Sequence, residues 1–164
     1  MELNFCPVCG EKLYKKECEN EGMIPFCEKC KDFRFPVFSV AVSMVVLNPT
    51  GDKILLIKQY GNDFYILTAG YVNKGESAEN AVRREIKEEL GVNVLSMRFN
   101  KTEYFEKSQT LLINFCATVD SEEIKPNYEV DSYRWFSFED AGKNIKENSL
   151  AQKFLRHFLN EVSK

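Results

Sequence analysis

The chain has 164 residues, a formal net charge of −3, 44% hydrophobic residues and 29% charged residues. This composition is typical of a globular protein and is long enough for one domain plus a small module. No apolar run approaches the roughly 20 residues that a membrane span requires, and the amino terminus lacks the pattern of a signal peptide. The negative charge argues against nonspecific binding to long nucleic acids. We therefore expect a cytoplasmic protein without membrane partners, and we do not expect nucleic acid as a partner.

Five of the six cysteines lie in residues 1–34, which contain few consecutive apolar residues. Two C-x-x-C pairs, separated by the 17 residues 10–26, have the spacing of a four-cysteine structural zinc site. Three disulfides are the alternative use of six cysteines, and a reducing compartment disfavours them. We therefore predict a zinc ribbon over residues 1–34, in which Zn²⁺ is bound by Cys6, Cys9, Cys27 and Cys30, while Cys18 and Cys116 are spare thiols.

Residues 35–164 have the patterning of an α/β domain with a mixed sheet. Apolar runs predict strands at residues 40–47, 53–59, 64–67, within 92–106, at 110–119 and around 133–136. The first two strands would pair as a hairpin across a turn at residues 48–52. A helix is predicted at residues 77–90, where Ser77 can cap the beginning and Gly91 suits the position after the end. An amphipathic helix is predicted at residues 150–162.

The helix at residues 77–90 concentrates acidic side chains on one face. At about 100° per residue, Glu85, Glu88 and Glu89 fall within an arc of about 100°. Like charges three and four residues apart repel each other, and a hard divalent cation such as Mg²⁺ would relieve that repulsion. The alternative is an ordinary solvated face with ion pairs. Ala78 and Ala81 are expected to leave the approach to the carboxylates open.

The segment 70–92 resembles the Nudix box, G-x5-E-x7-R-E-U-x-E-E-x-G-U, where U is a bulky aliphatic residue. Every defined position agrees, namely Gly70, Glu76, Arg84, Glu85, Ile86, Glu88, Glu89, Gly91 and Val92. The resemblance implies a Nudix-type α/β/α sandwich with a mixed sheet over residues 35–164, preceded by the small zinc ribbon.

The resemblance also implies roles for the residues of the box. Glu85, Glu88, Glu89 and the backbone carbonyl of Gly70 would bind catalytic Mg²⁺ or Mn²⁺. Glu76 would pair with Arg84 and orient the loop against the helix, where the alternative is an ordinary surface ion pair. The general base would be Glu88, Glu89 or Glu129, with Asp131 and Glu103 as substitutes. Glu129 could equally be a solvated loop residue.

These roles imply a metal-dependent hydrolase that cleaves the pyrophosphate linkage of a nucleoside diphosphate joined to another group. A dinucleotide, ADP-ribose or a nucleotide sugar would be the small-molecule substrate. A ribbon ahead of a Nudix domain is similar to the NADH pyrophosphatase group, although only Ser108 and Gln109 remain of that group's S-Q-P-W-P-F-P stretch. A homodimer is expected from the family.

Two alternatives to catalysis on a small nucleotide stay open. The first is a noncatalytic nucleotide sensor or a ribbon-mediated interaction module. The second is binding of nucleic acid through the ribbon, or decapping of an RNA 5′ end. Retention of every box carboxylate favours the enzyme over the sensor, and the net charge disfavours binding of nucleic acid.

Overall fold

The computed structural model describes residues 3–163, and the chain divides between Phe38 and Ser39 into two units. The boundary predicted after residue 34 therefore falls four residues earlier than this division, since residues 35–38 belong to the first unit. The assignment of the first unit as a zinc ribbon and of the second as a catalytic domain stays a prediction. Within residues 3–163, no helix is long and apolar enough to cross a membrane.

The first unit is a small antiparallel sheet. It consists of β1 (Tyr14–Cys18), β2 (Gly22–Cys27) and β3 (Asp32–Phe33), in that order. The ring of Phe26 on β2 makes edge-to-face contacts with Tyr14, at 5.8 Å between centroids, and with Phe33, at 4.9 Å. Apart from Phe26, the buried apolar side chains described in this unit are Cys6 and Cys27. So few buried apolar groups contribute little to folding, and units of this size usually need a further source of stability.

The second unit is built on a six-stranded sheet. Its strands are β4 (Ser39–Leu47), β5 (Lys53–Gln59), β6 (Thr68–Tyr71), β7 (Val94–Phe105), β8 (Thr110–Val119) and β9 (Val130–Ser137). The order is β7-β8-β4-β5-β9, and β6 pairs with β4 beside β5. The pairing of β4 with β8 is parallel and the other pairings are antiparallel, so the sheet is mixed, as predicted.

Three helices cover the two faces of this sheet: α1 (Ala78–Leu90), α2 (Phe138–Asn144) and α3 (Leu150–Val162). Side chains alternate along β4, as the period of a strand requires. Met44 packs in one fully buried cluster with Ile86 of α1. Val45 packs in a second cluster with Phe154 of α3. The predicted α/β/α sandwich is therefore the observed architecture.

Three local predictions need correction. Residues 64–67 do not form a strand, because Tyr65 and Ile66 make only isolated bridges and the regular pairing with β4 begins at Thr68. The helix α2 was not predicted, because seven residues are too few to show a clear helical period. Ala81 is fully buried in the core, so it does not leave open space beside the carboxylates.

Candidate active site and metal centres

The box helix begins and ends where the sequence predicted. The hydroxyl of Ser77 accepts a hydrogen bond from the Asn80 backbone N–H at 3.2 Å and caps the helix. Gly91 ends it with a left-handed φ of 73°, and its N–H donates to the Lys87 carbonyl at 3.1 Å. A buried apolar side fixes the helix on the sheet through Val82, Ile86 and Leu90. This anchoring places the Glu85 side chain against Gly70 of β6.

The three box glutamates differ in exposure although they share one face. Glu89 is 3% exposed, Glu85 is half-buried and Glu88 is exposed. The backbone of β6 approaches so closely that a Cβ added at Gly70 would overlap the Glu85 carboxyl group. A larger residue at position 70 would therefore displace the Glu85 carboxyl group, although the φ of Gly70 is not left-handed. The geometry brings the Gly70 backbone and the Glu85 side chain together, and their role as metal ligands stays a prediction.

Arg84 ties the loop before the helix to the helix itself. Its Nε and Nη2 donate to the two oxygens of Glu76, each at 2.9 Å, and Nη2 also donates to the Tyr71 carbonyl at 2.9 Å. Glu76 in turn accepts from the Asn73 N–H at 3.0 Å. The paired hydrogen bonds from Arg84 hold the pKa of Glu76 below its ordinary value. This two-point geometry is more specific than a surface ion pair.

Arg84 also contacts the carboxylates on its own helix. Its Nη1 lies 2.6 Å from Glu85 Oε1 and 3.2 Å from Glu88 Oε2. Within residues 3–163, the carboxylate oxygens are not gathered as closely as the cysteine sulfurs described below. Because Glu88 pairs with Arg84, it could bind a cation at this face only by leaving that partner. Because the Glu88 side chain is 57% exposed, rotation of that side chain meets little obstruction.

Glu89 is held in an environment that opposes its charge. Burial, followed by the nearby charges of Glu85 and Glu129, raises the pKa of Glu89 to about 8. The amide of Gln59, whose Nε2 lies 3.4 Å from Glu89 Oε2, opposes this shift. Burial also raises the pKa of Glu85, against the lowering effect of Arg84. A cluster of this kind is stabilised in its ionised form by a bound cation.

Glu129 reaches the cluster through hydrogen bonds from the loop before β9 to the end of α1. The Lys125 N–H donates to the Leu90 carbonyl at 2.9 Å, and the Asn127 N–H donates to the Glu89 carbonyl at 3.0 Å. These carbonyls have no partner within the helix, so the loop satisfies them. Asn127 Oδ1 then accepts from the Glu129 N–H at 2.9 Å. The loop therefore places Glu129 beside the box helix.

Tyr60 holds the Glu129 side chain from the opposite direction. Its hydroxyl donates to Glu129 Oε2 at 2.9 Å. Tyr60 follows β5 in a left-handed conformation, with φ of 54°, and the next residue, Gly61, donates its N–H to Asp131 Oδ2 at 2.7 Å. Nothing in the sequence singled out Tyr60, because its role depends on a contact with a residue distant in the chain.

These groups line one open cavity of about 590 Å³. Its acidic wall contains Glu85, Glu88, Glu89 and Glu129, beside Gly70 and Arg84, and its other lining residues include Tyr60, Tyr71, Phe105, Ser108, Leu112 and Leu150. The volume is in the range of small-molecule sites. Carboxylate oxygens are the ligands that Mg²⁺ and Mn²⁺ prefer, so the donor set fits those ions.

The other two carboxylates considered as substitutes for the base do not line this cavity. Asp131 accepts from Gly61, and Glu103 pairs with Lys101 at 2.8 Å. The catalytic roles of Glu88, Glu89 and Glu129 stay predictions, as do the roles of Glu76 and Arg84.

The first unit contains a four-cysteine cluster that could hold a metal ion. The sulfurs of Cys6, Cys9, Cys27 and Cys30 all lie within 4.8 Å of one another. Arg34 Nε lies 3.3 Å from the Cys6 sulfur. Although desolvation opposes it, the hydrogen bond from Arg34 and nearby backbone N–H groups lower the pKa of Cys6 to about 6.

Cys30 shows how gathering four sulfurs at one point opposes ionisation of a thiol. Hydrogen bonds with Cys9 and burial raise the pKa of Cys30 to about 12. Thiolates bind zinc, so a cation at the centre of the cluster would offset this penalty. The other two cysteines, Cys18 and Cys116, are free and lie outside the cluster, as predicted.

Two known proteins are similar to this chain in sequence. A NAD-capped RNA hydrolase NudC from Pseudomonas syringae is 31% identical over 99% of this chain and 58% of its own length. The human NAD-capped RNA hydrolase NUDT12 is 33% identical over 82% of this chain and 31% of its own length. The chain therefore spans less than two thirds of the length of each of these relatives.

Solved structures agree on the fold. A NUDIX hydrolase from Nitrosomonas europaea aligns with a TM-score of 0.69 at 20% identity, covering 97% of this chain and 92% of that chain. A C. elegans Ap4A hydrolase aligns with a TM-score of 0.62 at 21% identity, covering 75% of this chain and 98% of that chain.

The NUDIX domain family model matches residues 37–158. The resemblance found in the box is thereby confirmed, and the chain belongs to the Nudix hydrolase family.

Proposed function

We propose that this protein is a divalent-metal-dependent hydrolase that cleaves the pyrophosphate linkage of a nucleoside diphosphate joined to a second group. The observation that carries the proposal is the convergence of Glu85, Glu88, Glu89 and Glu129 on one cavity beside the Gly70 backbone. Nothing in the packing of the fold requires four carboxylates there. The relatives named as NAD-capped RNA hydrolases favour a dinucleotide-type substrate over a nucleotide sugar.

Glu85, Glu88, Glu89 and the carbonyl of Gly70 would hold the Mg²⁺ or Mn²⁺. When bound, the ions would neutralise charge on the diphosphate oxygens and lower the pKa of a water molecule. The exposed Glu88 is free to turn from Arg84 toward the ion, while Arg84 keeps its paired contacts with Glu76. Glu76 and Arg84 would therefore hold the loop before α1 in place while Glu88 moves from Arg84 to the ion.

Three carboxylates are candidates for accepting the proton of the attacking water, namely Glu88, Glu89 and Glu129. Glu129 is supported by its position, since its carboxylate lies at the cavity wall and is held by Tyr60. Glu89 is buried, and it is better placed to hold an ion than to exchange protons with solvent. We therefore propose Glu129 as the base and Glu89 as a ligand.

We further propose that Cys6, Cys9, Cys27 and Cys30 bind one structural Zn²⁺. The first unit has few buried apolar side chains, so metal binding would supply the stability that its core does not. Four thiolates leave no open position, which argues against a catalytic role for this ion.

A panel of pyrophosphate-containing nucleotides tests the proposed function. Purified protein with Mg²⁺ is incubated with NAD⁺, NADH, ADP-ribose and a nucleotide sugar, and the products are identified by mass spectrometry. We expect two phosphate-containing products from at least one substrate, and loss of turnover by a factor of about 100 or more in Glu85→Gln. Binding of these nucleotides without turnover would instead support a noncatalytic sensor.

A second substrate is favoured by the names of the relatives. NAD-capped RNA hydrolases at 31% and 33% identity make a capped RNA 5′ end a candidate, despite the net charge of −3. Release of nicotinamide mononucleotide from a capped oligonucleotide tests it. Equal rates on free NAD⁺ and on the capped strand would indicate that the RNA itself is not recognised.

Assembly also stays a proposal. A homodimer is expected from the family, and sedimentation equilibrium of the purified chain measures it. A mass that stays at 19.0 kDa at high micromolar concentration would contradict a dimer.

A further inference from the structure

A second cavity of about 720 Å³ adjoins the catalytic cavity in the same unit. The two cavities share part of their walls, since Ala69, Phe105, Leu112 and Leu150 line both. The side chains of β6, β8 and the beginning of α3 thus continue from one cavity into the next. A ligand bound at the carboxylates can therefore extend along this shared wall into the second cavity.

The floor of the second cavity is apolar. Leu67 is 2% exposed and Phe154 is fully buried, and both line it. Phe64 and Tyr104 add aromatic rings to the wall. Apolar and aromatic linings suit a flat nucleobase. Such a ring loses little free energy of hydration when it leaves water, and it gains contact with the aromatic side chains. The floor therefore suits the nucleoside part of a substrate.

The lining also includes three lysines that come from three different segments. Lys107 lies in the turn between β7 and β8, Lys146 lies between α2 and α3, and Lys153 lies in the first turn of α3. Lys146 Nζ is 3.7 Å from the centre of the Phe64 ring. The acidic residue that lines the same cavity is Glu106. Three lysines against one glutamate leave this cavity positive in a chain whose net charge is −3.

One of these lysines is partly neutralised from outside the lining. Lys153 Nζ lies 3.7 Å from Glu103 Oε2, while the closer partner of Glu103 is Lys101, at 2.8 Å. Glu103 is therefore shared between two cations, and the pair with Lys153 is the weaker one. The catalytic cavity has the opposite charge, with Glu85, Glu88, Glu89 and Glu129 set against Arg84.

We propose that the second cavity binds the nucleoside of the substrate that lies away from the box helix, and that its lysines bind a phosphate esterified to the ribose of that nucleoside. This inference rests on the proposed function and deepens it by naming a substrate class. The substrates are dinucleotide-type pyrophosphates with an additional ribose phosphate. That phosphate has two possible sources: a phosphorylated dinucleotide such as NADP⁺, or the first phosphodiester of an RNA strand behind an NAD cap.

Matched substrates test the proposal with the full chain and Mg²⁺. The kcat/KM for NADP⁺ is compared with that for NAD⁺, and the kcat/KM for a short NAD-capped RNA is compared with that for NAD⁺. We expect at least one phosphorylated member to exceed NAD⁺ by about tenfold, and we expect the ratio to fall as KCl is raised. Isothermal titration of NADP⁺ and NAD⁺ in metal-free buffer measures the same preference as a ratio of Kd values without turnover.

Variants assign the preference to the lysines. The triple variant Lys107→Ala, Lys146→Ala, Lys153→Ala should lose the preference, so that the kcat/KM for the phosphorylated substrate falls to that for NAD⁺, because the additional phosphate is the part of the substrate that needs these cations. The control is Lys143→Ala, an exposed lysine of α2 that pairs with Glu139 and lines neither cavity. It should behave like the wild type.

The outcomes separate this inference from the proposed function. A preference limited to NADP⁺ or limited to capped RNA supports the inference and identifies the source of the phosphate. Equal kcat/KM for all three substrates would overturn the inference and leave the proposed hydrolase function standing. A preference that persists in the triple variant would have the same meaning. Metal-free binding that favours NADP⁺ without turnover of any nucleotide would support the inference and remove the proposed activity.

Discussion

Replacement of Glu89 by glutamine should stabilise the metal-free protein and at the same time abolish its use of Mg²⁺. Glu89 is 3% exposed, and burial with the charges of Glu85 and Glu129 raises its pKa to about 8. The folded state therefore opposes ionisation of this carboxyl group, whereas the unfolded chain ionises it near pH 4.5. Glutamine has the same shape and can still accept from the amide of Gln59, but it carries no charge.

The sign and the size of the effect follow from linkage. A carboxyl group whose folded pKa is raised costs nothing below its unfolded pKa, and the cost grows as the pH rises from about 4.5 toward about 8. At about 1.4 kcal/mol for each pH unit, the full cost above pH 8 is on the order of 5 kcal/mol. Loop relaxation and water reduce it, so we expect Glu89→Gln to gain roughly 1–3 kcal/mol at pH 8 and almost nothing at pH 5.

Thermal unfolding followed by tryptophan fluorescence measures this change. Trp135 is the single tryptophan of the chain and lies in β9, so the signal reports on the unit that contains the carboxylates. The protein is freed of Mg²⁺ by dialysis with zinc retained. We expect the midpoint of Glu89→Gln to exceed that of the wild type by several degrees at pH 8. Added Mg²⁺ should raise the midpoint of the wild type and not that of the variant.

Glu88→Gln is the matched control for this experiment. Glu88 lies next to Glu89 in the chain, but its side chain is 57% exposed, so its removal recovers no buried charge. Its metal-free midpoint should stay within about 1 °C of the wild type, since surface ion pairs contribute little. A Glu89→Gln protein that is less stable than the wild type at pH 8 would refute the electrostatic argument. The argument would also be refuted if Mg²⁺ raised the midpoint of Glu89→Gln as much as it raises the midpoint of the wild type.

Three further predictions concern the supporting residues. Tyr60→Phe should lower kcat about tenfold with little change in stability, and it should have no further effect in a Glu129→Gln background, whereas a purely structural role would give additive losses. Gly70→Ala should displace the Glu85 carboxyl group. The Mg²⁺ concentration for half-maximal turnover should therefore rise about tenfold or more, while the thermal midpoint changes little. An unchanged Mg²⁺ requirement would contradict this expectation. Cys27→Ser should reduce bound zinc, measured by atomic absorption, from about one ion per chain to near zero and make residues 1–38 sensitive to protease. Full zinc content in that variant would exclude the four-cysteine site.

The box helix shows what local sequence signals can predict. Ser77 and Gly91 act through hydrogen bonds within a few residues of themselves, so the limits of α1 followed from residue type alone. The same holds for the acidic face, because the helical period fixes which residues share a side. The strands β5 and β8 and the helix α3 were predicted for the same reason, since each has a clear apolar pattern.

Features that depend on tertiary contacts could not be predicted in this way. Glu129 was a candidate only through the family resemblance, because it reaches the cavity where the loop before β9 satisfies the last carbonyls of α1, and no local pattern encodes that contact. Tyr60 acquires its position from a turn that is fixed by Asp131. The strand β6 was placed a few residues too early, because the pairing with β4, and not the apolar pattern, decides where it begins.

The central claim is that Glu85, Glu88 and Glu89 hold divalent cations against a diphosphate in the cavity that Glu129 also lines. X-ray diffraction from crystals soaked with Mn²⁺ and ADP-ribose, collected at the manganese absorption edge, tests it directly. The account predicts anomalous peaks within about 2.2 Å of oxygens from Glu85, Glu88 or Glu89, with diphosphate oxygens on the same ions. Diphosphate bound elsewhere, or a cavity that takes up no manganese at millimolar concentration, would contradict the account.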